Sequence, residues 1–113
     1  MPVQLKIDFA NPVIVPEDVL EIQPSDMDDF YVTATDLDKA NLFFMLLTSL
    51  HHYEAYQDDR RAAHLSFLAA NYLFVALTPP GSQELAMHYI KKALVLYPCE
   101  EYAQWLAFIK KGN

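Results

Sequence analysis

Residues 82–98, SQELAMHYIKKALVLYP, constrain this chain more than any other stretch, because both ends of one helix are written into them. Upstream, Pro79, Pro80 and Gly81 break whatever precedes, since two prolines remove two donors and glycine tolerates a positive φ. Ser82 is placed to cap the free N–H groups of the first turn, and Glu84 sets a carboxylate near the positive end of the helix dipole. Pro98 closes the run, because the residue before a proline is pushed out of the α region. In between, Leu85, Ala86, Tyr89, Ile90, Ala93, Leu94, Leu96 and Tyr97 recur at the helical spacing of three and four, while Lys91 and Lys92 fall on the other face.

Three further helices follow from the same signals. The first covers residues 36–56, with Thr35 or Asp36 as its cap and Asp38 where a capping-box acid reaches back. Its residues 42–47, LFFMLL, are apolar all round and need cover on more than one side. Either the N-terminal residues or a second subunit supplies that cover, which motivates a homodimer. Gln57, Asp58 and Asp59 form a connector, and Asp58 or Asp59 caps a second helix over residues 60–77. There Ala62, Ala63, Ala69, Ala70 and Ala76 permit close helix approach, while Phe67, Tyr72 and Phe74 fill volume. The last helix, residues 100–111, carries a stripe of Tyr102, Trp105, Leu106 and Ile109. Lys110 and Lys111 suit its negative end, and Gly112 stops it.

Residues 1–34 read differently. Val3, Leu5, Ile7 and Phe9 alternate with Gln4, Lys6 and Asp8, the pattern of a half-buried strand. Asn11-Pro12 turns the chain, and residues 13–15 are placed to return as a second short strand. Residues 17–22 suit one helical turn behind Pro16, residues 25–29 read as an acidic loop, and residues 30–34 as a strand or extended entry. The expected architecture is mainly α: a small antiparallel bundle of about four helices over residues 35–113, joined by short connections. An acidic extended or β arm, residues 1–34, packs on it.

The stretch HYIKKALVLYP resembles the second helix of a tetratricopeptide repeat. Such repeats place a small residue early in that helix, a large apolar residue four later, alanine three after that and proline five further on. Ala86, Ile90, Ala93 and Pro98 stand at those intervals. The likeness covers residues 70–111 and is one repeat long. Phe74 stands where the family has a small residue, the PPGS turn is longer than usual, and Trp105 falls one place late. The resemblance implies a helical-hairpin scaffold, such as the small chaperones of bacterial secretion systems.

Charge is unevenly placed. Residues 1–38 hold nine acids and one base, while residues 39–113 hold six acids and seven bases, within a net charge of −7. An acidic chain argues against nucleic acid as a direct ligand. The carboxylates of the arm are expected to lean on Arg60, Arg61, Lys91 and Lys92. One cysteine, Cys99, excludes an internal disulfide and points to a reducing compartment, hence a cytoplasmic location. Residues 62–77 are shorter than the roughly 18–20 apolar residues of a membrane span.

Little in the residue set suggests catalysis. His51 with Glu54 and Glu84 with His88 share helix faces, but neither pair has the Glu-x-x-His interval of carboxylate metal bundles. Arg60, Arg61 and His64 suggest a ribonuclease-like cluster, without the basic surface that nucleic acid requires. Cys99 stands at a helix start beside Glu100 and Glu101, which oppose a thiolate. Two glycines leave no phosphate loop. The expectation is a non-catalytic protein with no metal and no cofactor. It is a small adaptor or chaperone-like module that holds a peptide or helix of a protein partner. The candidate contact residues are Leu42, Phe43, Phe44, Leu46, Tyr53, Tyr56, Tyr89, Tyr97, Tyr102 and Trp105. The alternative is an acidic decoy that blocks a basic surface through Glu17, Asp18, Glu21, Asp26, Asp28 and Asp29.

Overall fold

The computed structural model describes residues 3–112. The helices among them are α1 Pro16–Val19, α2 Pro24–Thr33, α3 Asp36–Ala55, α4 Asp59–Asn71, α5 Ser82–Leu96 and α6 Glu100–Lys111. Tyr72–Leu77 continues α4 as a π-helical segment, and the described residues contain no strand.

The centre of the fold is α4. Every residue from 62 to 74 is buried, so this helix needs cover on all sides. Helices α3, α5 and α1 all pack against it. Its alanines let their backbones come close, and its His64 and Ser66 side chains are tied off. The Ser66 hydroxyl donates to the Tyr89 carbonyl of α5 at 2.6 Å. Among the described residues no buried side-chain nitrogen or oxygen lacks a hydrogen-bond partner, as an interior of low dielectric demands.

Helix ends follow local chemistry. The Thr35 hydroxyl accepts the Asp38 N–H at 3.1 Å, and Asp58 accepts the Arg61 N–H at 3.2 Å. The start of α5 corrects the expectation for Ser82. Gly81, at φ 78°, holds the cap position in a conformation that favours glycine, and Ser82 is the first helical residue.

Residues 24–33 overturn the expected loop and strand. Pro24 opens the first turn of α2, and Asp26 reaches back to accept the Gln23 N–H at 2.8 Å. Met27 is buried, with Phe30 and Tyr31 half-buried three and four residues on. The Tyr31 ring meets Tyr72 edge-on at 6.3 Å. The β-branched and aromatic content of residues 30–33 favours a strand in isolation, but packing on the core overrides it.

Residues 3–15 also differ from expectation. They carry no strand pairing, because α3 side chains meet part of their backbone instead. The Ile14 N–H donates to Ser49 Oγ at 2.9 Å, and the Tyr53 hydroxyl donates to the Ile14 carbonyl at 2.6 Å. Val3, Leu5, Ile7, Val13 and Ile14 rest on the same hydrophobic core that buries Val19, Ile22 and Met27. The Cα radius of gyration is 13.1 Å, close to the roughly 13 Å of a compact chain this long, so this segment lies on the helices rather than away from them.

The face of residues 42–47 is divided. Leu42 and Leu46 are fully buried, Phe43, Met45 and Leu47 are half-buried, and Phe44 is 61% exposed.

Ala93 is fully buried. Ala93→Glu is expected to cost more than about 3 kcal/mol, because the carboxylate enters a site without a partner. Thermal melting followed by circular dichroism should show a lost or strongly lowered transition.

Candidate functional site

Helix α6 is amphipathic, and its apolar stripe is wider than the core can cover. Tyr102 and Ile109 are buried, Trp105 and Leu106 are half-buried, and Phe108 is 47% exposed. A continuous path of ring contacts links the interior to this surface. The Tyr102 ring stacks on Phe67 of α4 at 4.8 Å, and Phe67 meets Trp105 edge-on at 6.2 Å. Trp105 meets Phe108 edge-on at 5.3 Å, and Phe108 meets Phe74 edge-on at 5.6 Å. Such offset and edge-on pairs are the favoured aromatic geometries. Phe74 belongs to the π segment, a winding that recurs at functional positions in helices. Gln104, Trp105 and Phe108 line a hollow of about 240 Å³ at the open end of the path.

A buried polar chain anchors the other end. His64 is 3% exposed. Its Nε2 lies 2.7 Å from the Ile22 carbonyl, which only accepts, so Nε2 carries the proton. In the neutral ring Nδ1 is then an acceptor, and the Tyr102 hydroxyl 3.0 Å away donates to it. That hydroxyl in turn accepts from Arg60 Nη1 at 3.0 Å. The Arg60 guanidinium also lies over the Tyr97 ring, 4.1 Å from its centre. Burial pushes the His64 pKa below its ordinary value, and the Arg60 charge adds to this. The Ile22 hydrogen bond and Glu101 oppose it. Burial raises the Tyr102 pKa, against the lowering effect of Arg60. The four groups join the α1–α2 link, α4 and α6 and act as a clamp between them.

The expected contact residues separate by burial. Leu42, Leu46, Tyr53 and Tyr102 are core side chains and present no surface. Phe43, Tyr89 and Trp105 are half-buried, while Phe44, Tyr56 and Tyr97 are exposed. Ring contacts place Phe43, Phe44 and Tyr89 together, in a group separate from Trp105. A second hollow of about 240 Å³ lies beside Phe44, lined by Ile7, Phe9, Pro12, Met45 and others. Of the acidic residues, Glu17, Asp18, Glu21, Asp28 and Asp29 are exposed, whereas Asp26 is buried in its cap.

The arginines and Lys92 do not meet these acids. Arg61 pairs with Asp58 at 2.9 Å and donates to the Pro16 carbonyl, and Lys92 pairs with Glu54 at 2.7 Å. Arg61 takes a carboxylate one turn back on its own helix, and Lys92 takes one on the neighbouring helix α3. Among the described residues no three metal-ligating side chains converge, and no helix is long and apolar enough to cross a membrane. In the sequence Phe74 stands only as a volume-filling side chain, and Phe108 is not singled out. Phe108 follows Trp105 by three residues, a spacing that marks one helix face.

No protein-family model, curated protein or solved structure matches the chain.

Two outcomes follow from the clamp. Above the ordinary histidine pKa of 6.5 both folded and unfolded chains hold His64 neutral, and it contributes no pH dependence. Below it the unfolded chain takes up a proton that the folded chain resists. Stability therefore falls by up to about 1.4 kcal/mol per pH unit until the lowered folded pKa is passed. Urea unfolding at a series of pH values should show this slope in the wild type and a shallower one in His64→Gln. Tyr102→Phe strands Nδ1 of His64 without a donor, and should cost about 1–3 kcal/mol in the same assay at neutral pH.

Proposed function

We propose that this chain is a non-catalytic protein-binding module that seats an amphipathic helix or peptide of a partner on the α6 surface. The carrying observation is the half-exposed pair Trp105 and Phe108 around its hollow, backed by rings that run into the core. A rigid aromatic anchor of this kind loses little side-chain entropy on binding, which is why such residues dominate interfaces. A partner helix would lay its apolar face along Trp105 and Phe108, with Gln104 as a polar rim.

The tetratricopeptide-like reading of α5 and α6 belongs to the same proposal. Full burial of Ala86, Ile90 and Ala93 supports it, since these are the positions where that hairpin makes its close contact. Connectors of three or four residues between α3, α4 with its π segment, α5 and α6 favour an antiparallel bundle. A second reading, the acidic decoy, draws on the exposed carboxylates Glu17, Asp18, Glu21, Asp28 and Asp29. None of them forms a salt bridge among the described residues.

Selection from a displayed library of amphipathic helical peptides supplies a probe. Selected peptides should bind the wild type and lose at least about tenfold in affinity on Phe108→Ser, with the melting temperature little changed. Affinity that is indifferent to Phe108 would remove this surface from the proposal. Raising salt should leave peptide binding nearly constant, whereas a decoy's grip on a basic surface should weaken steeply.

A further inference from the structure

Residues 3–8 form neither helix nor strand, the chain bends at residues 9–11, and Val3, Leu5 and Ile7 rest on the core. Among the described residues none of the backbone N–H or C=O groups of residues 3–9 is hydrogen-bonded. Gln4 and Lys6 face outward, and Phe9, at 80% exposure, stands beside the hollow at Phe44. A segment of alternating pattern with one face already seated and its backbone free can form half of a strand pair that ends at the bend. The occupant that completes it must itself be extended, apolar on one face and charge-matched on the other.

We propose that this occupant is the same segment of a second copy, paired antiparallel about a two-fold axis at Ile7. Register follows from side-chain chemistry. Centred on Ile7, the pairing sets Lys6 opposite Asp8 twice, Leu5 opposite Phe9 twice, and Ile7 opposite Ile7. Each exposed Phe9 then gains an apolar neighbour. Lys6 is exposed and forms no ion pair among the described residues. Asp8 uses Oδ1 to accept the Ala10 and Asn11 N–H groups at 3.0 Å each, and those bonds leave Oδ2 for the partner's lysine.

Other registers are poorer. Centring on Lys6 opposes two lysines, and a parallel pair aligns like charges. Centring on Leu5 sets Asp8 opposite Pro2, which has no N–H, and Lys6 opposite the uncharged Gln4, so the charge match is lost. A shift by one residue sets apolar side chains against polar ones. Five paired residues make a weak contact alone, so Phe9 and Phe44 must be covered in the same event.

This dimer is independent of the α6 surface, and the test separates them. Sedimentation velocity between about 5 and 500 μM should show a reversible monomer–dimer equilibrium in the wild type. Lys6→Glu sets a second carboxylate against Asp8 at an exposed position that does not bear on folding. It should lower the dimer association constant at least about tenfold, with the circular dichroism spectrum unchanged. The monomeric variant should still bind the helical peptides selected on Phe108. A wild type that stays monomeric across the range overturns the proposal, and so does a Lys6→Glu variant that dimerises equally well.

Discussion

A helix buried on every side imposes the plan of this molecule. Residues 62–74 leave no solvent face, so the chain must provide cover from several directions at once. Helices α3 and α5 supply most of it. The short helices of the N-terminal third and the aromatic residues of α6 supply the rest. The same constraint explains the composition of α4. Alanine predominates where backbones approach, and His64, Ser66 and Tyr72 within the run are each held by a specific bond.

Central burial also turns ordinary polar groups into determinants of geometry. His64 reaches the Ile22 carbonyl on one side and Tyr102 on the other, so two elements 42 and 38 residues away are fixed to one imidazole. Tyr72 does the same for the start of α3, donating to the Lys39 carbonyl at 2.5 Å. Burial raises the Tyr72 pKa far above the usual range, so the hydroxyl remains a donor. These bonds specify which way each covering helix lies, a choice that apolar contact alone leaves loose.

Much of the helical part was legible in the sequence. The limits of α3 and α6, the Asp58 cap and the buried Ala86, Ile90 and Ala93 all follow from periodicity and end signals within a few residues. The N-terminal third was not. Residues 30–33 carry strand-like side chains, and only contact with Tyr72, far along the chain, shows why they wind as α2. The site was legible in part. Trp105 and Phe44 stood out as aromatics on helices, but which aromatics lie outside depends on packing between helices. Tyr53 and Tyr102 look as suitable as Trp105 in the sequence, yet each directs its hydroxyl to an interior partner. The clamp joins residues too distant in sequence for any local pattern to reveal it.

The π segment at the end of α4 changes how this chain tolerates a change in length. Thr78 N–H bonds to the carbonyl five residues back, at Leu73, and six residues there turn through roughly the rotation that five cover in an α-helix. Loss of one codon within Tyr72–Leu77 therefore lets the remainder wind as ordinary α-helix, with the following Pro79–Gly81 turn still aimed at α5. The same loss inside residues 62–71 rotates everything downstream by about 100° and carries buried side chains into solvent. Among the described residues, this is the one place where a helix carries a spare residue.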